Sequence, residues 1–136
     1  AVEIVGPDGQ RTDTLQPGEP LELRIDYLAH GRIESPVFGY GIHTEAGVHV
    51  AGSNTKLAGV DTSSIEGPGR ITFRLDSLSL LPGRYEFTVA VNDQWLQHVF
   101  DRHVRRYLLT VNRGSEMLPA GMVDLMGSWT VGEPAS

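Results

Sequence analysis

The sequence contains no cysteine and a single lysine, Lys56. Without cysteine there is no disulfide, zinc-thiolate site or thiol nucleophile, and the redox compartment stays open. The other ten basic residues are arginines, which suit planar hydrogen bonding better than diffuse attraction. Eleven basic residues face 17 acidic ones, a net charge of −6 with the five histidines neutral. A phosphate-tracking groove therefore has no support at the level of the whole chain, and nucleic acid is disfavoured as a partner. No run approaches the ~18 consecutive apolar residues of a membrane span. No period of roughly 20–50 residues recurs and no segment is low in complexity, which excludes repeat architectures.

What is present is 136 residues, 40% hydrophobic and 21% charged. That composition fits one globular domain over residues 1–136, large enough to bury a core. Beginning at Ala1 without a methionine or an apolar leader, the chain reads as processed or excised from something longer. Sixteen glycines and eight prolines punctuate it at Gly6-Pro7-Asp8-Gly9, Pro17-Gly18-Glu19-Pro20, Gly67-Pro68-Gly69 and Pro82-Gly83, which are turn signals.

Between these turns the apolar period is two. Leu21, Leu23, Ile25 and Tyr27 alternate with Glu22, Arg24 and Asp26, as a strand with one face in a core does. Ile71, Phe73 and Leu75 do the same, and so do Tyr85, Phe87, Val89 and Val91. Further strands are expected at Val2 to Val5, Val37 to His43, Val48 to Ser53 and Met122 to Val131. Val104 to Val111 fits both a helical stripe and a strand; strand is the reading, because one short helix is out of place among so many strands. The sum is an all-β protein, an antiparallel β-sandwich of about eight strands.

The segment from His43 to His49 reads as a hairpin closed by the three-residue loop Glu45 to Gly47, with Gly47 free to turn left-handed. In that register His43 opposes His49, Ile42 opposes Val50, Gly41 opposes Ala51, Tyr40 opposes Gly52 and Gly39 opposes Ser53. One face then carries Phe38, Tyr40, Ile42, Val48 and Val50 toward the core. The other has Gly39, Gly41, Ala51 and Ser53 as a floor without bulk, with His43 and His49 at its rim. A bare floor with polar edges lets a flat ligand approach the backbone; the same glycines also read as relief of crowding under a loop. The two histidines lack a visible third ligand, so no metal site is assigned.

Asn92-Asp93-Gln94-Trp95-Leu96-Gln97-His98 joins two strands and holds one of two tryptophans. An indole covers the C–H face of a pyranose while amides and imidazole take its hydroxyls. Asn92, Gln94, Trp95, Gln97 and His98 thus join His43, His49 and Ser53 as candidate carbohydrate-binding residues. The alternative is an indole plugging the end of the sandwich. Trp129 lies among Met122, Val123, Leu125 and Met126, where a core or interface role is expected.

Catalytic patterns are missing. No G-x-S-x-G elbow presents a serine, His98 to His103 lacks H-E-x-x-H spacing, and Gly52-Ser53-Asn54-Thr55-Lys56 lacks the glycine pattern of a phosphate loop. A pair of glycosidase-type carboxylates from distant positions stays open. No cofactor is implied, and the chain reads as a non-enzyme.

The order of several segments resembles a known family. Pro36-Val37-Phe38-Gly39-Tyr40-Gly41-Ile42, a Gly47 hairpin, Val50-Ala51-Gly52-Ser53-Asn54-Thr55, Gly67-Pro68-Gly69 before Ile71-Thr72-Phe73, Leu80-Leu81-Pro82-Gly83-Arg84-Tyr85, Phe100-Asp101 and Gly121-Met122-Val123-Asp124-Leu125 with Trp129 together resemble the carbohydrate-binding C-terminal domain of the ATPase subunit of O-antigen ABC exporters, the Wzt type. The likeness spans about Val2 to Val131, although the stretch around Trp95 lacks the longer Gly-containing turn of that family.

The resemblance implies an immunoglobulin-like sandwich that binds terminally modified O-antigen polysaccharide, a part of lipopolysaccharide, and does no chemistry. It implies a cytoplasmic place at the inner face of the inner membrane, with the transporter ATPase and membrane subunits as partners. It also implies a homodimer in which the last strand, Met122 to Val131 with Val123, Leu125 and Trp129, crosses to the partner from a hinge at Gly114 to Ala120. The competing reading is a structural or dimerisation domain of the transporter without direct glycan binding.

Overall fold

Leu21, Leu23 and Ile25 turn one side of a strand into the core, and in the computed structural model, which describes residues 1–114 and 117–132, this period of two recurs along the chain. The strands are β1 (Val2–Val5), β2 (Thr14–Leu15), β3 (Leu21–Glu34), β4 (Val37–Thr44), β5 (His49–Asn54), β6 (Ser64–Leu75), β7 (Gly83–Asn92) and β8 (Val99–Val111). They form a three-stranded sheet in the order β1-β3-β6 and a five-stranded sheet in the order β2-β8-β7-β4-β5. Every pairing is antiparallel except that of the two-residue β2, which runs parallel to β8. The architecture is thus the expected all-β, immunoglobulin-like sandwich with that one parallel contact.

The inner faces meet around Leu21, Leu23, Leu78, Phe87 and Leu109, each almost wholly removed from water. Burial of each such side chain favours folding by about 1.5–3 kcal/mol. Across the gap Tyr40 of β4 stacks on Phe73 of β6, with ring centroids 4.3 Å apart. The ambiguous segment Val104 to Val111 is strand, since β7 supplies its backbone partners.

Two expectations fail for definable reasons. Gly67-Pro68-Gly69 is not a turn but the middle of β6, opposite Ala29, Leu28 and Tyr27. β6 lies at a sheet edge, the position in a sheet where proline is tolerated. The Tyr27 ring fills the space above Gly69 so closely that a Cβ there would overlap it.

The second correction concerns Met122 to Val131, which is not a strand. Only Val123 forms an isolated bridge, to Leu80; Leu81 N–H donates to Met122 O and Asp124 N–H to Ser79 O. Beyond Asp124, Leu125 and Trp129 lie in solvent, Trp129 fully. The hinge expected at Gly114 to Ala120 falls partly on residues 115–116, outside the described residues.

The bridge sits beside the start of β7. There the Tyr85 hydroxyl donates to Leu81 O at 2.6 Å, four residues upstream, and is buried. This is the tyrosine corner of immunoglobulin-like sandwiches. Burial pushes the Tyr85 phenol above its ordinary range, so it stays protonated and donating. Tyr85→Phe would strand a buried carbonyl. It is expected to lower the unfolding free energy by about 1–3 kcal/mol in a urea titration; an unchanged midpoint would show that the corner contributes nothing.

Candidate functional site

The outward face of the five-stranded sheet is built by β5, β4 and β7. His43 of β4 pairs with Glu86, Gly41 with Thr88 and Gly39 with Ala90, so these residues share one face. On the other flank His43 opposes His49, as the sequence predicts. Past that pair the register slips by one residue at Val50. Ile42 then opposes Ala51, Gly41 opposes Gly52, Tyr40 opposes Ser53 and Gly39 opposes Asn54.

The slip corrects the hairpin in detail. An extra residue in β5 reverses which of its later side chains point outward. Ser53 now lies opposite Tyr40, on the side facing the other sheet, and Ala51 lies opposite Ile42. Gly52 and Asn54 take their places on the outward face. The floor is Gly39, Gly41 and Gly52, three adjacent positions with no side chain across two strands. A Cβ on Gly52 would meet Tyr40 O at 3.0 Å and one on Gly39 would meet Asn54 Cβ at 3.2 Å. At Gly41 the nearest atoms, from His43, His49 and Thr88, are all 3.9 Å from an added Cβ, which is ordinary contact.

His43 and His49 stack over the Gly41 and Gly52 part of this floor, with ring centroids 4.8 Å apart and planes 22° from parallel. Nδ1 of His43 is buried and has no hydrogen-bond partner among the described residues. Gly47 holds the hairpin loop at φ 94°, and the Thr44 hydroxyl accepts from Val48 N–H. The left-handed glycine therefore has the role its position suggests.

At the other end of the face, Val37 pairs with Asn92, and the chain enters the loop of residues 93–98. His43 and Val37 are six strand positions apart, roughly 20 Å. The candidate residues thus divide into two groups at opposite ends of one sheet face. The loop is ordered by Asp93, whose Oδ1 accepts from Gln97 N–H while its own N–H donates to His98 O. Lys56 Nζ donates to Gln94 O at 2.8 Å and ties this loop to the one after β5. Trp95 is 65% exposed, so the indole does not plug the sandwich. His98 leans edge-on against Phe100, centroids 5.0 Å apart.

Phe100 borders a 660 Å³ cleft between the ends of the two sheets, walled by Ile25, Tyr27, Phe38, Ile65 and Val91. His103 stands in it, bonded through Nδ1 to the Tyr107 hydroxyl and 3.2 Å through Nε2 from Asp101. Alternation alone does not reveal this cleft, because it depends on how far β3 and β6 overhang the other sheet. Among the described residues no cluster of three or more histidine or carboxylate side chains is placed to hold a metal.

Burial works against the charge on Asp93, but the amides of Gln97, His98 and Trp95 hold its carboxyl below the usual aspartate range. The loop anchor is therefore complete above the ordinary aspartate pKa of about 3.9 and is lost as pH falls through the depressed value. In a Trp129→Phe variant Trp95 is the remaining indole. Its emission is expected to hold steady down to about pH 4 and to change only below it; a transition centred above about pH 5 would contradict this anchoring.

Residues 1–125 match the family model described as Wzt C-terminal domain. Over 89 residues, 65% of this chain, the sequence is 27% identical to the O-antigen export system ATP-binding protein RfbB of Myxococcus xanthus, and the match spans 20% of that protein's length. The fold superposes on the crystal structure of the C-terminal domain of wzt with a TM-score of 0.84 at 20% identity, covering 96% of this chain and 80% of that one.

Proposed function

This chain belongs to the Wzt C-terminal domain family, and from that membership we propose that it is a non-catalytic carbohydrate-binding module that recognises O-antigen polysaccharide for export by an ABC transporter. The observation that carries the reading is the sheet face of Gly39, Gly41 and Gly52, with a stacked imidazole pair standing over Gly41 and Gly52 and a loop with an exposed indole beyond its Val37 end. A pyranose ring can lie against the imidazoles where these glycines add no side chain of their own. Asn54, Thr88 and Asn92 lie at the margins of this face to take hydroxyls, His43 and His49 serve one end, and Gln94, Trp95, Gln97 and His98 serve the other.

The wider assignments belong to the same proposal. Residues 1–136 act as one binding unit, attached through the transporter ATPase to the membrane subunits at the cytoplasmic face of the inner membrane. The relative's printed name, an O-antigen export system ATP-binding protein, supports the attachment to an ATP-binding subunit. A homodimer is part of the proposal: among the described residues Leu125, Trp129 and Val131 are exposed, and β8 offers an edge that β2 covers there at Thr110 and Val111. The exchanged portion then begins after Met126, because Met122, Asp124 and Met126 are held by their own chain.

Gly41→Ala tests the face directly. Its backbone is not left-handed, and the added Cβ meets His43, His49 and Thr88 at 3.9 Å, ordinary contact. The variant is expected to keep the parental unfolding midpoint while binding to the lipid-free O-polysaccharide of the encoding strain weakens about tenfold in calorimetry. Parental affinity in the folded variant would remove this face as the site.

A further inference from the structure

We infer that Arg105 is a positioning residue for the imidazole pair, acting through Glu86 and the hairpin backbone; the inference rests on the glycan-binding reading of this face. Between Phe87, which faces Tyr107, and Val89, which faces His103, β8 carries surplus residues, and Arg105 lies in that irregularity. Its φ of 50° is left-handed, a conformation in which an arginine is strained and a glycine is not. Its Nε is buried without a hydrogen-bond partner among the described residues. Two costs thus coincide at one side chain.

What the side chain does explains why it is held there. The irregularity throws Arg105 onto the outward face while its neighbours His103 and Tyr107 point inward. Its backbone N–H donates to the Thr88 hydroxyl at 2.8 Å. Its guanidinium reaches over β7 to the Glu86 carboxylate and on to the carbonyls of Thr44 and Glu45, at 3.3 and 3.2 Å. Those carbonyls lie at the entry to the hairpin loop, and Glu86 is the direct cross-strand neighbour of His43. One guanidinium therefore connects β8, β7 and the β4–β5 hairpin at the end where the imidazoles stack. All three contacts come from one nitrogen, Nη2, held at the end of a long side chain, and a lysine ammonium on a shorter stem places its donors differently. A charged group anchored in this way also fixes how far the hairpin lifts from the sheet, and so where the rings of His43 and His49 stand over Gly41 and Gly52.

The experiment separates positioning from stability. In Glu86→Gln/Arg105→Gly the glycine relieves the left-handed backbone and the glutamine avoids leaving an unpaired carboxylate. The double variant is expected to stay folded, to lose the ring-to-ring nuclear Overhauser contact between His43 and His49, and to shift the Gly41 and Gly52 amides. Its binding of lipid-free O-polysaccharide is expected to weaken about tenfold. Arg105→Lys, which keeps a cation beside Glu86, is the second variant. It decides the matter if the first does not fold, with the ring contact expected to weaken. An unchanged ring contact and unchanged glycine amides in a folded variant would overturn the inference. Absence of polysaccharide binding in the parent chain would instead overturn the glycan reading, while the ring contact still decides the role of Arg105.

Discussion

The hydrogen bond from Tyr85 to Leu81 O fixes where β7 begins, and β7 is the strand on which the rest of the larger sheet is hung. It is the only strand that pairs with both β4 and β8 among the described residues. Its inward residues, Tyr85, Phe87 and Val89, sit in the middle of the core. Its outward residues, Glu86, Thr88 and Ala90, form one wall of the candidate site. A shift of one residue at the corner would exchange the two sets, placing carboxylate and hydroxyl in the core and phenylalanine on the outward face. The same corner holds the C-terminal segment, since Met122 and Asp124 are bonded to the residues just before Pro82.

On that frame, the outward face is shaped by two departures from regular pairing. The slip at Val50 brings Gly52 beside Gly41, so three unsubstituted positions adjoin where regular pairing would have interposed Ala51 and Ser53. The irregularity in β8 delivers Arg105 across β7 to the hairpin that carries the imidazoles. Bulges of this kind re-aim side chains without breaking a sheet. Here one clears a floor and the other braces its rim.

Much of the frame was legible in the residues. The alternations at Leu21 to Tyr27, Ile71 to Leu75 and Tyr85 to Val91 are strands because apolar side chains can all face one way only at that period. The left-handed Gly47 and the pairing of His43 with His49 followed from loop length and chemistry. What was not legible depends on long-range neighbours. Gly67-Pro68-Gly69 has the composition of a turn and lies in a strand because β6 is an edge and Tyr27 covers its glycine. The slip at Val50 leaves no mark in a run of Val-Ala-Gly-Ser, so regular alternation puts Ser53 on the outward face, where the structure has Asn54 instead. Arg105 carries no local signal; its importance comes from Glu86 and Thr44, 19 and 61 residues away in sequence. Met122 to Val131 has the apolar content of a strand but no strand of its own chain beside it.

The measurement that bears most directly on the glycan-binding account is a nuclear magnetic resonance titration of the folded chain with lipid-free O-polysaccharide, read at the backbone amides. The account predicts a contiguous set of shifting signals at Gly39, Gly41, Gly52, Asn54 and Thr88, continuing into the loop with Trp95. Shifts confined to the cleft around Tyr27, Phe100 and His103, with the glycine amides unmoved, would contradict it.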